Sequence, residues 1–374
     1  MQRTISIKLN PTKEQSAKLL ELQQEFAVAC NTIVPIALKH QCWNRVALHQ
    51  LAYYDTRHAT KLGSQMVCNA LFSVCSSYKT WVRNHPKQPL PSLQFRNTGS
   101  VHFDKRTYTW GQNTLSLYTL SGRIHVSWIL GNFQQKYLER GKPKEAELVR
   151  KGQNWFFHLV LDIQDPPFLS PTNELLGVDL GENNLATLSS GRIFGGGELR
   201  QKRDNALALR KRLQSNGTKS SKQLLKKVSG KEARHVKHLN HVISKQIVEE
   251  ALAKGLGAIA MESLTNIRKR IKAGKRVRSR LHRWAWKQLQ QFVQYKAEAV
   301  GLRVIFVNPA YTSKTCSECG QLGTRDKHRF SCKNCGTQQH SDLNASRNIC
   351  KVALSADNVT GDVNRPYVAM ALSH

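Results

Sequence analysis

The sequence predicts a multidomain chain of α/β and β modules, and three observations predict it. Residues up to about 84 carry helical spacing, whereas 90–163 are rich in Thr, Tyr, Val, Trp and Phe with Gly-bearing turns. Beyond residue 172, short apolar runs of buried-strand length alternate with helical stretches. Two C-x2-C pairs interrupt that second half. With 374 residues and 40% hydrophobic content the chain can build two or three packed units, and a wholly disordered basic tail is excluded.

From the N-terminus, Arg3 to Leu9 alternates Ile5, Ile7 and Leu9 with polar residues, the pattern of a half-buried strand. Thr12 with Gln15 makes a capping box, and Leu19, Leu22, Phe26 and Ala29 keep helical spacing. Helical patterns run on, with breaks, to about Asn84, where His85-Pro86-Lys87-Gln88-Pro89 ends them. Arg123–Trp128 and Trp155–Leu161 read as strands of a β module that the N-terminal strand can join. Asp165 to Thr172 reads as a linker. Leu175–Leu180 is a buried-strand run holding Asp179, and Leu185–Leu188 follows it past the turn Gly181-Glu182-Asn183-Asn184. Glu232–Leu256 is a helix with Val236, Leu239, Val242, Ile243, Ile247 and Leu252 on one side. Gly257–Ala260 is a strand with Glu262 just past it, and Arg303–Val307 is another. A helical stretch to Val300 follows Trp284 and Trp286, and Asp342 opens a last helix. The final twenty or so residues are polar without period, the pattern of a flexible tail.

The charge speaks to partners. Lys+Arg number 57 against 25 Asp+Glu, a net +32, which attracts polyanions. Residues 200–300 alone hold 26 of the basic and 6 of the acidic residues. The longest apolar stretches, such as Leu256–Met261, fall far short of the roughly 20 residues a bilayer span needs. The N-terminus has no apolar signal core, so an intracellular, cytoplasmic protein with no membrane partner is expected, and nucleic acid is the leading polyanion. Within 268–283, Arg268, Lys269, Arg270, Lys272, Lys275, Arg276, Arg278, Arg280 and Arg283 occur with no acid. A solvated helix face needs fewer, so phosphate contact is the favoured reading. His235, His238 and His241 fall at three-residue steps, and a polar face near nucleic acid is preferred for them over a metal site. Core packing is preferred for at least one of Trp284 and Trp286, with base stacking the alternative.

Of nine cysteines, Cys316, Cys319, Cys332 and Cys335 form C-x2-C, twelve residues, C-x2-C. Cys319-Gly320 and Cys335-Gly336 supply tight turns, so four thiolates can converge on one Zn2+. Two disulfides are the competing reading, disfavoured inside a cell. Four protein ligands leave no open position, so the zinc is structural. The other cysteines read as small buried apolar residues.

Three acids sit where a hard cation needs oxygen: Asp179 and Glu262 at strand ends and Asp342 at a helix start. Taken singly, each reads more simply as a solvated end or a cap. Together, in one α/β unit, they can hold Mg2+ ions that clamp the attacking and leaving oxygens of a phosphodiester.

Gly177-Val178-Asp179-Leu180-Gly181-Glu182-Asn183-Asn184-Leu185-Ala186-Thr187 resembles the first RuvC-like motif of TnpB, the transposon-encoded relative of type V CRISPR effectors. Ala258–Leu264 resembles the second motif, Tyr311–Gly320 with Cys332–Gly336 the zinc ribbon, and His340–Ile349 the third. Many members carry Asp where this chain has His340. The resemblance covers roughly 172–350, and the N-terminal half matches only in coarse organisation. It implies an RNase H-like (RuvC) nuclease domain over 172–311 and 337–351, with a zinc ribbon inserted at 312–336. Before it come a wedge-like β-barrel module (1–10 and 87–165) and a helical recognition module (11–86). After it comes a flexible tail (352–374). The implied activity is RNA-guided, Mg2+-dependent cleavage of double-stranded DNA beside a short target-adjacent motif. Asp179, Glu262 and Asp342 would be catalytic, the guide RNA would derive from the transposon end, and the protein would be nucleoid-associated when bound to DNA. A long basic path suits a protein that holds RNA and a heteroduplex. The alternatives are a nuclease-silent RNA-guided repressor and a transposase acting without RNA.

Overall fold

The computed structural model describes residues 2–169, 174–264 and 286–357. The chain divides into two compact units, Met1–Gln164 and Asp165–His374. The first unit begins with β1 (Gln2–Asn10), in which Ile5, Ile7 and Leu9 are buried and their neighbours exposed. Thr12 caps α1 (Lys13–Lys39) reciprocally with Gln15, satisfying amide donors that the helix cannot. Then come α2 (Arg45–Ala59), capped by Asn44, and α3 (Ser64–Asn84). The strands β2 (Val101–Phe103), β3 (Tyr108–Trp110), β4 (Thr114–Thr119) and β5 (Gly122–Ile129) lead to α4 (Asn132–Leu138). β6 (Gly141–Lys151) and β7 (Asn154–Ile163) complete the unit.

Its seven strands form one sheet in the order β2-β6-β7-β1-β5-β4-β3, antiparallel throughout. β1 lies inside this sheet, between β7 and β5, so the first residues of the chain are structural members of a module built mostly a hundred residues later. The two end strands, β2 and β3, are consecutive in sequence. The turn between them holds Asp104 and Thr107, whose hydroxyl donates to Asp104 Oδ1 at 2.8 Å, and it brings the ends of the sheet together into a near-barrel. From α3, Gln65 and Asn69 donate to the Asp104 carboxylate, so the helices are fixed to that closure.

The second unit starts with β8 (Leu175–Asp179), β9 (Asn184–Leu188) and β10 (Ile193–Gly195). It continues with α5 (Gly197–Asn216), α6 (Lys219–Ala253), β11 (Ala258–Glu262), α7 (Trp286–Glu298) and β12 (Arg303–Val307). β13 (Thr324–Asp326), β14 (Arg329–Ser331), β15 (Gln338–His340) and α8 (Ser341–Asp357) finish it. Its main sheet runs β10-β9-β8-β11-β12, with β8, β11 and β12 mutually parallel and the rest antiparallel. β11 reads as an unbroken apolar run because both faces are covered. Ala258 and Ala260 pack with Ile349 and Ala353 of α8, while Ile259 and Met261 join the core with Ile247, Leu289 and Val293 of α6 and α7. Gly177 is required by this packing: a Cβ there would lie 2.0 Å from the Ser346 carbonyl oxygen of α8.

Some expectations change. The helix expected over 232–256 begins at Lys219, because its first turns carry few apolar residues and show no buried stripe. α5 mixes Leu199, Leu207, Leu209 and Leu213 with many basic and polar residues, and only Leu199, Arg203 and Leu213 are buried, so its sequence carries no clear stripe. The tail expected from 352 is helical to Asp357, with Ala353 buried against the sheet. The cysteine-bearing segment does not stop at 336, since β15 pairs with β14 through His340. The nine basic residues from Arg268 to Arg283, together with Trp284, lie outside the described residues. Trp286 is buried in the core. His241 stacks on Phe292 at 3.9 Å, a contact within the α6–α7 pair. Among the described residues no helix is long and apolar enough to cross a membrane.

Candidate metal centres

Parallel pairing of β8 with β11 sets Val178 opposite Met261, so the next residue on each strand, Asp179 and Glu262, ends its strand beside the other. The carboxyl ends of adjacent parallel strands are where α/β sheets place their ligands. Asp342 arrives from the first turn of α8, where the helix dipole favours an anion. The three acids are close enough to repel. Asp179 is pushed up to about 8, first by burial and then by the charges of Glu262 and Asp342, with Arg325 opposing. Glu262 is also raised by burial, against the pull of the Thr312 hydroxyl and of Arg325. Carboxylates crowded in this way need positive charge to be ionised together.

Neighbouring side chains hold them in place. The turn after Asp179 closes through the Gly181 amide on the Asn184 carbonyl, and Asn184 Nδ2 donates to Asp342 Oδ2 at 2.9 Å. Arg325, on β13, donates to Asp342 Oδ1 at 3.0 Å. The Thr312 hydroxyl donates to Glu262 Oε1, and Gln290 Nε2 donates to the Glu262 carbonyl at 2.6 Å. Asn344 and Asn348, one turn apart on α8 and buried, both donate to the Thr315 carbonyl, at 2.7 and 2.6 Å. Asn344 Oδ1 also accepts from the Ser317 amide at 2.8 Å, and Asn348 donates to the Thr312 carbonyl. One helix therefore carries Asp342 and also clamps the loop that bears Thr312 and the first cysteine pair.

The four cysteines of the double C-x2-C pattern converge. Cys316 Sγ lies 3.6 Å from Cys335 Sγ and Cys319 Sγ 3.5 Å from Cys332 Sγ, and all four sulfurs fall within 4.8 Å of one another. A tetrahedral zinc thiolate, with Zn–S near 2.3 Å, sets sulfurs about 3.8 Å apart, so the donor set fits this ion. Gly320 and Gly336 adopt φ of +76° and +74° and turn each knuckle, their amides returning to the Cys316 and Cys332 carbonyls. The hydroxyl and amide of Thr337 pull Cys335 down to about 6, toward the thiolate a metal requires.

The three acids and four cysteines that stand out in the sequence are brought together by the fold. The sequence alone assigned no role to Arg325, Asn184, Thr312, Asn344 or Asn348. For the last two a signal is present: two amides at i, i+4 on the face of a helix that also carries the apolar Ala345, Ile349 and Ala353. Arg325 gave none, since one arginine among so many carries no pattern.

Two family models match the chain: one described as "Probable transposase" over residues 158–268, and one described as "Cas12f1-like, TNB domain" over residues 286–349. A TnpB-like protein of Methanocaldococcus jannaschii is 31% identical over 246 residues, 61% of this chain and 86% of that protein. The chain belongs to the TnpB-like family. A CRISPR-associated endodeoxyribonuclease, Cas12f1 of Sulfoacidibacillus thermotolerans, is 43% identical over 113 residues, which is 29% of this TnpB-like chain and 25% of the longer enzyme. In fold, the chain is similar to Cas12f1 in its complex with single-guide RNA and target DNA, with a TM-score of 0.66 at 15% identity over 91% of this chain and 83% of that one. CasPhi-2 bound to crRNA gives 0.52 at 11% identity over 95% and 98%. These multidomain effectors share the architecture of the TnpB-like chain.

Proposed function

We propose that this TnpB-like protein is an RNA-guided, metal-dependent DNA endonuclease whose second unit is a RuvC-like nuclease domain of RNase H-like fold. The observation that carries the reading is the meeting of Asp179, Glu262 and Asp342 from two strand ends and a helix start, with burial and mutual repulsion raising Asp179. These carboxylates would hold Mg2+, which supplies an activated water and charge neutralisation at the scissile phosphate. Among the chain's own groups, Asn184 and Arg325 fix the Asp342 oxygens, and Thr312 orients Glu262. Arg325 also puts a guanidinium beside the acids, where it can meet a phosphate oxygen when a strand is bound.

The cysteine-bearing sheet is a zinc ribbon in this reading, with a structural ion at Cys316, Cys319, Cys332 and Cys335. The near-barrel of β1–β7 is the wedge and α1–α3 the recognition module. A guide RNA from the transposon end and double-stranded DNA beside a target-adjacent motif are the partners. Support comes from the likeness to guide- and target-bound Cas12f1, from the +32 charge, and from the basic run Arg268–Arg283, proposed to bind phosphate. The working compartment is the cytoplasm, at the nucleoid when DNA is engaged.

The test is purification with sequencing of bound RNA, followed by cleavage of a matched DNA target in Mg2+ by wild type and Asp179→Asn. A discrete co-purified RNA and cutting by wild type alone are expected. Undiminished cutting by the variant would refute the role of the acids. Matched binding without cutting by wild type would identify a silent repressor, and strand joining without RNA a transposase.

A further inference from the structure

A second group of metal-ligating side chains lies outside the four cysteines. His328, His340 and Asp342 each place a ligand atom within 4.8 Å of the other two. The backbone builds this grouping, so it does not depend on chance rotamers. β14 and β15 pair Arg329 with His340, which sets His328, the residue before, beside the end of β15. Lys327 turns the chain there with φ +50°, and Ser341 locks that turn to the start of α8. Its amide donates to the His328 carbonyl at 2.8 Å and its hydroxyl to the Lys327 carbonyl at 3.1 Å. The two imidazoles stack with centroids 5.5 Å apart and planes 20° from parallel.

The donors point the right way. The Asp342 amide donates to His340 Nδ1 at 3.2 Å, which turns this nitrogen toward Asp342; an ion bound there takes over the lone pair from the amide. That nitrogen lies 4.0 Å from Asp342 Oδ2. Ligands on a tetrahedral ion at bond lengths near 2.1 Å stand about 3.4 Å apart, so closure by well under an ångström makes this pair a chelate. His328 is exposed, with its ring stacked on His340, and completes the set. Arg325 occupies the other oxygen, Oδ1, and Asn184 shares Oδ2.

We propose that His328, His340 and Asp342 form a second transition-metal site, and that Zn2+ bound there takes Asp342 from the hard cation and inhibits cleavage. Two imidazoles and one carboxylate select a borderline d-block ion; Mg2+ prefers oxygen ligands alone. The binding half of the proposal stands on geometry, and the inhibitory half rests on the nuclease reading.

The experiment uses full-length protein carrying its cysteine-bound zinc. Wild type and His328→Gln are equilibrated with Zn2+, freed of unbound ion by gel filtration, and measured for zinc per chain. Cleavage in Mg2+ is then followed as Zn2+ is added. His328 lies at the surface and outside the acid cluster, so the variant keeps its fold and its cleavage in Mg2+ alone. Wild type should retain one more zinc than His328→Gln, which has lost one of the three ligands. Added Zn2+ should suppress wild-type cutting at concentrations the variant tolerates. His340→Gln should match His328→Gln in zinc content. Equal zinc content in wild type and both variants would overturn the site. A differing zinc content with equal sensitivity of cutting would overturn the competition for Asp342. Failure of wild type to cut in Mg2+ would count against the nuclease reading, with zinc content still deciding the site.

Discussion

Replacing Asp179 with Asn should stabilise the protein in the absence of divalent cations at pH 8 and leave its stability at pH 4 unchanged. The sign follows from linkage. An aspartate ionises near pH 4 in the unfolded chain, whereas burial and its acidic neighbours hold Asp179 up to about 8 in the fold. Below pH 4 both states carry the proton and nothing is lost. Between pH 4 and 8 the unfolded state releases it and the folded state keeps it, so stability falls steadily, and above 8 the loss is complete. Some four pH units at about 1.4 kcal/mol each set an upper limit of about 6 kcal/mol. Asp179 keeps an edge to solvent, so roughly 2 kcal/mol is the working figure, a melting difference of about 4–8 °C for a unit of this size. The assay is thermal denaturation by circular dichroism in Mg2+-free buffer from pH 4 to 9, wild type and variant being compared at each pH so that any change at the cysteines is common to both. Adding Mg2+ at pH 8 should raise the midpoint of wild type and not that of the variant. If the two proteins melted together across the range, Asp179 would not be the strained carboxylate described.

Thr312→Val removes the hydroxyl that keeps Glu262 from rising further, so Glu262 should hold its proton to higher pH and the acid limb of the cleavage–pH profile should move upward. An unmoved limb would count against that contact. Asn344→Ala leaves the Ser317 amide without its buried acceptor and the Thr315 carbonyl with Asn348 alone, and denaturant titration should show a loss of about 1–3 kcal/mol. Cys332→Ser should lower zinc content by one ion per chain and loosen the loop that Asn344 and Asn348 clamp, with cleavage lost alongside; limited proteolysis near residues 312–340 reports the loosening. Gly177→Ala forces a Cβ against the Ser346 carbonyl, and only separation of α8 from β8 relieves it, so cooperative unfolding should be lost or shifted by more than 3 kcal/mol.

Much of this was legible because burial writes itself into sequence. Ile5, Ile7 and Leu9 alternate because one face of β1 meets the core, and Ala258–Met261 reads as a solid apolar run because both faces do. The cysteines were legible because four thiols able to share one tetrahedral ion require this spacing. Helix α5 and the first turns of α6 were not, since their basic faces look outward and leave no stripe. The closure of the near-barrel was also invisible, as it rests on Asp104, Thr107 and two helix amides too ordinary to stand out. In the candidate site the acids announced themselves by rarity in a basic chain. Arg325 did not, and its place beside Asp342 comes from the pairing of β13 with β14, which no local pattern encodes.

Because α8 brings the third acid, pins the Thr312 loop and covers β8 at Gly177, the three acids can meet only after the chain has been made well past the strands that carry Asp179 and Glu262. A nascent or prematurely terminated product ending before Ser341 would hold two acids on bare strand ends and lack the helix that seals the sheet. The order of the segments thus ties the gathering of the acids to the folding of one helix, α8, and not to either strand alone.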